Sequence, residues 1–397
     1  MSIITVNCGS SSLKMDAFDV NERRIARGSV EKIGEEGTHL VLKSDLGVVE
    51  KTLPIGDHSD AFAAVAEELV GEGRPISSAA DVAAVGHRVV HGGSSFSASA
   101  IITDEIKNKI KELSGLAPLH NPVNLAGIIG AQKLFPNVPH VAVFDTAFHH
   151  TLPQAAYTYG LPYEHAQKED IRRYGFHGTS HKFVANEASA ILGKPIEDLK
   201  IISCHLGNGA SLCAIDGGRS VDTSMGLTPS EGLLMGTRSG DVDPGILIHL
   251  MRKGMSVDEL DTLINKKSGL LGLSGMSNDL RVIEKAMSEG NGRAQLAFDV
   301  FCRQVRKYIG AYTAVMGGLD AIIFTGGIGQ GSPLVRSAVC KDLEYLGIKF
   351  DEKRNIDARG FVEASVLSSG DSAVKVLVIP TNEELAIARE AESFLVD

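Results

Sequence analysis

Short apolar runs separated by polar turns set the pattern of the chain. Ile3-Ile4-Thr5-Val6-Asn7 reads as an apolar strand, Cys8-Gly9-Ser10-Ser11-Ser12 as a turn, and Leu13 to Asp19 as the returning strand. The pattern comes back in the second half. Ile201-Ile202-Ser203-Cys204-His205 reads as a strand, Gly207-Asn208-Gly209-Ala210-Ser211 as its turn, and Leu212 to Asp216 as its partner. Both turns are rich in Gly and hydroxyls, and both second strands end in an acid. We therefore expect two related domains, each opening on a turn that can grip phosphate. Two unrelated polar hairpins are the competing reading.

Further strands are expected near 25–32, 38–43 and 47–53, then a helix from Ser59 to Val70 and a strand from Val82 to Val90. Asn121-Pro122 opens a helix reaching Leu134, and Val141 to Phe144 is a buried strand. The second half adds a helix from Ser180, several helices between 243 and 316, and a buried strand, Ala321 to Phe324. Strands mixed with helices in both halves predict two α/β domains with a cleft between them. At the C-terminus, Thr381 and Glu384 fit a capping box before an amphipathic helix, Leu385 to Leu395. Glu383 is then left without a structural duty, although both acids could simply complement the helix dipole.

The 397 residues allow two or three domains, and 43% hydrophobic with 22% charged residues is ordinary for a globular protein. A net charge of −10 and no long Lys/Arg run argue against nucleic acid as a partner. Any anionic ligand must then be met by locally placed Arg, Lys or metal. The five cysteines form no CxxC pair, as suits a reducing compartment. The run Ile3 to Val6 is too short for a signal peptide or a membrane span, so a cytoplasmic protein without a membrane partner is expected. The 43 glycines cluster, at 207–209, 217–218, 317–318 and 326–331. Such clusters mark turns, or backbone that must come close to a ligand.

Asn7 to Lys14 places three hydroxyls, a glycine and a cation on one turn, without Walker A spacing. An ordinary polar hairpin would also fit. Arg88, in Gly86-His87-Arg88-Val89-Val90-His91-Gly92-Gly93, stands at a strand end and has the planar fork that matches a carboxylate. A surface Arg is the alternative. Ten of the thirteen His lie between 87 and 205, yet Gly178 stands where a zincin motif over His177 and His181 needs Glu. His177 precedes a helix start and is the best His to face a phosphoryl group. Arg238, in Met235 to Asp243, is either a charge-neutralising loop arginine or half of an Arg–Asp pair holding a turn.

These stretches, with Pro118-Leu119-His120-Asn121-Pro122, Phe144 to His149, Tyr174 to His181, and Thr381 to Glu384, resemble the acetokinase (acetate kinase) family in order along essentially the whole chain. The resemblance implies the fold of the acetate and sugar kinase, Hsp70 and actin superfamily: two duplicated ribonuclease-H-like α/β domains around a central nucleotide cleft. It implies residues 1–148 with 382–397 as an N-terminal domain, 149–381 as a nucleotide-binding and dimerisation domain, and a homodimer. Arg88, Asp145, His177 and Arg238 fall at the family's catalytic positions. Asn7 and Glu383 fall at its Mg2+ positions, with Mn2+ as the alternative ion. Lys14, Ser10 and Ser12 match its phosphate-binding turn. His205, Leu206, Gly207, Asn208 and Gly209, then Asp279, Leu280 and Arg281, then Gly327, Ile328, Gly329, Gln330 and Gly331 match its ATP segments. Val90, Leu119, Phe176 and Pro229 match the slot for the acetate methyl group, with His120 beside it. One departure stands out: the family commonly has Gly-Glu-Asn where this chain has Gly329-Gln330-Gly331. Side-chain contacts to adenosine are therefore not expected there, although backbone contacts would survive.

The implied reaction is reversible Mg-dependent in-line transfer of the ATP γ-phosphoryl group to acetate, giving acetyl phosphate and ADP. Carboxylates have pKa values near ~4, so the nucleophile is already ionised and needs no general base. The difficulty is that two anions must meet. Asp145 is then better read as orienting Arg88 or a metal-bound water than as a proton acceptor. A propionate or butyrate kinase is the near rival; Val90 narrows the slot and favours acetate. An actin- or Hsp70-like nucleotide-dependent binding protein would leave Arg88 and Arg238 without purpose. A sugar kinase would need more polar groups than this apolar slot has.

Overall fold

The computed structural model describes residues 1–9, 11–117 and 120–395. The chain divides into two compact units, Met1–Ala147 with Asn382–Asp397, and Phe148–Thr381.

The first unit is built on an eight-stranded sheet. Its strands are β1 (Ser2–Cys8), β2 (Ser12–Asp19), β3 (Arg24–Glu31), β4 (His39–Ser44), β5 (Gly47–Thr52), β6 (Val82–Val89), β7 (Ala100–Ile101) and β8 (His140–Phe144), in the order β5-β4-β3-β2-β1-β6-β8-β7. β1, β2 and β3 form an antiparallel meander, and β6 and β8 run parallel to β1. β1 is buried along almost its whole length because both its faces are covered. On one face Ile4, Val6 and Cys8 join Phe62 and Val65 of helix His58–Leu69. On the other, Ile3 joins Ile387, Ala388 and Ala391 of the C-terminal helix, Glu383–Glu392. That helix lies close on β6 because residue 86 is glycine: a Cβ there would stand 2.7 Å from Ile387 Cγ2 and 3.0 Å from its carbonyl oxygen. The strand pattern thus draws the last helix, and Glu383 with it, onto the first sheet.

The second unit repeats the topology. Its strands are β9 (Lys200–Leu206), β10 (Ala210–Asp216), β11 (Arg219–Thr223), β12 (Ala321–Thr325), β13 (Ser365–Val366) and β14 (Lys375–Val378). They lie in the order β11-β10-β9-β12-β14-β13, with β9 to β11 antiparallel and β12 and β14 parallel to β9. Three antiparallel strands followed by two parallel ones, in the same spatial order, make each unit a copy of one plan. Helix Gly292–Met316 packs on β9 and β10 through a buried row that includes Ala297, Phe301, Val305 and Ile309. Helix Gly178–Leu192 packs on β9 and β12.

Two expectations change. The C-terminal helix is capped by Asn382, whose side chain accepts from Leu385 N. The hydroxyl of Thr381 is instead hydrogen-bonded at 2.8 Å to Ser180 Oγ, so the capping box does not form. The glycine cluster after β12 is a short helix, Gly326–Gly331, entered through Gly326 at φ +74. A Cβ at Gly326 would lie 2.6 Å from Leu206 O, so β9 and β12 leave room there only for glycine. No helix among the described residues is long and apolar enough to cross a membrane.

Candidate active site

In the first unit the carboxyl ends of β1, β6 and β8 gather three polar side chains, Asn7, Arg88 and Asp145, as the ends of parallel strands do in α/β sheets. Arg88, near the end of β6, donates from Nε and one terminal nitrogen to Asp145, at 3.1 and 2.6 Å. Its other terminal nitrogen donates to Asn7 Oδ1, on β1, at 3.1 Å. Asp145 follows β8 and is 1% exposed. The bidentate partner of Arg88 is therefore the protein's own Asp145, which leaves two of the five guanidinium hydrogens for a ligand. Burial works against the Arg88 charge, and Asp145 more than reverses it, so its pKa is raised. Lys14 is exposed and stands directly across the β1–β2 ladder from Asn7. Glu383 completes the group electrostatically. Burial, partly offset by Arg88 and reinforced by Asp145, pushes its carboxyl up to about 7.

Among the described residues no three His, Cys, Asp or Glu side chains surround a metal-sized space. Mg2+ does not need such a cage, because it keeps several waters and takes one or two protein oxygens plus substrate phosphates. Asn7 and Glu383 supply hard oxygen donors of the right kind, and a carboxylate raised by burial is one that a cation would favour. The residues fit.

Two buried asparagines support this corner. Asn124 accepts from Val90 N and donates to Cys8 O, and Asn121 accepts from His91 N. They fix the backbone after both β1 and β6. Their i, i+3 spacing on one helix was visible in the sequence, but their role was not read from it. His120 is the N-cap residue of that helix, Asn121–Leu134. Ser12 opens β2, and its carbonyl accepts from Gly9 N at 2.8 Å. Ser10 and Leu119 lie outside the described residues.

In the second unit, His177 and Arg238 come together at Gly209. A Cβ on Gly209 would stand 3.4 Å from a terminal nitrogen of Arg238 and 3.5 Å from His177 Nε2. His177 has φ +58, a left-handed conformation rare for a side chain of its size. Its ring stacks on His205 at 4.3 Å and its Nδ1 is 2.8 Å from Ser211 Oγ. Arg238 donates to Pro229 O at 3.0 Å, and burial lowers its pKa. No carboxylate pairs with it among the described residues. The Arg–Asp alternative fails for a specific reason: Asp241 is taken by Gly232 N and Tyr308 Oη, and Asp243 caps helix Pro244–Arg252. Among the described residues, Arg238 is a desolvated cation without a counter-charge.

The same loop borders a cavity of about 480 Å³, lined by Gly207, Asn208, Asp279, Leu280, Arg281, Gly327, Ile328 and Gly331. Eight residues from all three expected ATP segments thus meet at one cavity, of a size usual for a small-molecule site. Asn278, Glu284, Ser332 and Phe361 also line it, and none was legible beforehand. Of these, Phe361 carries a signal only in the structure, as a ring 64% exposed beside Gly331. Five residues of the expected set stand elsewhere. His205 is hydrogen-bonded to Ser180, Leu206 is buried, and Gly209 faces His177 and Arg238. Gly329 packs on Phe324 and Cys204, and Gln330 turns inward, its amide set between Gly326 O and Thr381 N. The carbonyls of Gly329 and Gln330 both accept from buried Arg336, at 2.9 and 2.8 Å. Of the expected methyl slot, Val90 is buried in the first unit; Phe176 is buried and Pro229 half-buried in the second.

A cavity of nucleotide size, lined by the loop on which the Arg238 guanidinium and the His177 imidazole converge, belongs to the class of phosphotransferases. Comparison with known proteins narrows the class to those with a carboxyl group as acceptor. The model of the acetokinase family matches residues 2–389. An acetate kinase from Alkaliphilus metalliredigens is 54% identical over 401 residues, covering 100% of both chains. The crystal structure of Porphyromonas gingivalis acetate kinase superimposes with a TM-score of 0.93 at 46% identity, again over 100% of both chains. A propionate kinase from Francisella tularensis gives 0.91 at 40% identity over 99% of each. The chain belongs to the acetokinase family.

Proposed function

We propose that this enzyme transfers the γ-phosphoryl group of ATP reversibly to acetate, giving acetyl phosphate and ADP, by direct in-line displacement. The observation that carries the reading is Arg238, a desolvated cation with no counter-charge among the described residues, beside His177 and next to the loop that lines the cavity. ATP occupies that cavity with its base. Lys14 and the turn it follows take the phosphates, with Asn7 and Glu383 holding Mg2+, which supplies charge neutralisation of the phosphates when bound. Arg88, oriented by Asp145 and Asn7, presents its two remaining hydrogens to the acetate carboxylate. His177 and Arg238 stabilise the equatorial oxygens of the phosphoryl group as it passes. No proton need be removed from the nucleophile. The proposal gives 1–148 with 382–397 the acetate and metal groups, and 149–381 the nucleotide cavity and dimer contact.

A homodimer is supported by helix Pro244–Arg252, which buries no residue and leaves Ile246, Ile248 and Met251 roughly half exposed. The reading extends to a cytoplasmic enzyme.

The kinship with a propionate kinase makes acceptor choice the test. One methylene is worth ~1–3 kcal/mol in a pocket. ADP release should therefore depend on acetate, with a higher kcat/KM than for propionate, and should ignore glucose and glycerol. A propionate preference would overturn the acceptor assignment, and acetate-independent ATP hydrolysis would overturn the reaction.

A further inference from the structure

Beneath His177 lies a row of polar groups that the proposed reaction does not itself use. Ser203 on β9 and Ser211 on β10 are both 0% exposed, as is His181 on helix Gly178–Leu192 above them. Buried hydroxyls and imidazoles cost stability compared with an apolar core unless hydrogen-bonded. Here they are bonded to one another. Ser203 Oγ is 2.9 Å from His181 Nδ1, His181 Nε2 is 2.9 Å from Ser211 Oγ, and Ser211 Oγ is 2.8 Å from His177 Nδ1. We infer that Ser203, His181 and Ser211 are positioning residues: a hydrogen-bonded chain that holds the His177 ring with Nε2 presented to the transferring phosphoryl group. The inference rests on the proposed role of His177.

The chemistry of the chain explains why a serine stands at its middle. A hydroxyl has one hydrogen, so Ser211 can donate to one imidazole only and must accept from the other. In one arrangement Ser211 donates to His177 Nδ1, and neutral His177 then carries its hydrogen on Nε2. His181 donates to Ser211 through Nε2 and accepts from Ser203 through Nδ1. In the other arrangement His177 is imidazolium and donates through Nδ1 to Ser211. Ser211 now donates to His181 Nε2, and His181 Nδ1–H donates to Ser203. Both arrangements put a hydrogen on His177 Nε2 and leave no ring nitrogen of the chain unsatisfied. An anionic oxygen placed at Nε2 selects these two. Alanine at 211 would supply neither, and the ring would lose its tether on the side away from the substrate.

Three other features confine the ring. The left-handed backbone at 177 sets its direction, His205 stacks on its face, and His205 is itself held by Ser180 Oγ at 2.8 Å. Burial, with His149 and His205 nearby, holds His181 far below the usual imidazole range, so it stays a neutral link. The β9–β10 register places Ser211 directly opposite His205, so one strand pair supports both neighbours of His177.

The test is Ser211→Ala with steady-state kinetics and imidazole 15N NMR. The expected result is a kcat about ten- to a hundredfold lower, the range for loss of an orienting partner, with KM for ATP and acetate little changed. The His177 15N pattern should shift, and Ser211→Thr, which keeps the hydroxyl, should recover most of the rate. If Ser211→Ala does not fold, Ser203→Ala should give a smaller loss of kcat with the same unchanged KM values. An unchanged kcat, an unchanged 15N pattern, or KM values rising in step with the loss would overturn the inference. The underlying reading fails separately: a fully active His177→Ala removes both, whereas inactive His177→Ala beside fully active Ser211→Ala removes only the chain.

Discussion

Arg88 and Arg238 are both half-buried, yet their charges are met in opposite ways. Asp145 takes one edge of Arg88, so its charge is compensated and its direction fixed. Among the described residues, Arg238 has only the Pro229 carbonyl and the Met235 sulfur. A guanidinium in this state gains most from an anion that arrives with the substrate or develops in the transition state. The sequence singled out both arginines but could not separate these roles, because partners 57 and 81 residues away, as Asp145 and Asn7 are from Arg88, are invisible to spacing. The competing Arg–Asp pair was plausible only while Asp241 and Asp243 had no other employment. Gly209 shows the same limit. It was read as part of a phosphate turn, whereas its lack of a side chain keeps open the space between Arg238 and His177. Gly209→Ala would place its methyl 3.4 to 3.5 Å from both, ordinary contact distances, so the fold should survive. We expect kcat to fall by about tenfold or more, since a misplacement of about 1 Å can cost ~10²-fold. An unaltered kcat in a folded variant would show that no ligand atom uses that space.

Elements were read more securely than their ends. The two hairpins, the buried strands and the last helix all emerged from apolar periodicity, because each buries a face that the pattern displays. Caps and glycine conformations did not. Asn382 caps the last helix because Thr381 is bound to Ser180, a contact made across 201 residues of sequence. The 326–331 cluster is helical because Arg336 donates to the carbonyls at its end, which no local signal announces. Arg336→Leu would leave buried carbonyls unpaired and should cost on the order of 3 kcal/mol, read as a lower melting temperature. An unchanged melting temperature would mean that the short helix stands without it. Gly331 matters for the cavity wall. A Cβ there would lie 2.9 Å from the Phe361 ring, so Gly331→Asn should displace that ring and raise KM for ATP severalfold, with KM for acetate unaffected. An unchanged KM for ATP would remove Phe361 from the nucleotide site.

The two units share one strand plan, and each carries its polar cluster at the carboxyl ends of its parallel strands. This duplication was legible from two hairpins alone, since a repeated strand–turn–strand with the same polar turn is what a copied unit leaves behind. The proposed assembly is harder to read from sequence: an apolar helix, Pro244–Arg252, looks like any core helix until it is found exposed. Ile248→Glu should convert the proposed dimer to monomer in light scattering, and an unchanged mass would place the contact elsewhere. In the proposed mechanism the chemistry depends on fixed positive charge that allows ATP and a carboxylate to meet, and Arg238 is its least compensated source. Steady-state kinetics of Arg238→Ala, with ATP affinity measured on the same protein, tests this most directly. A kcat lower by ~10³ or more with ATP affinity retained is the predicted result. A loss of less than about tenfold would contradict it.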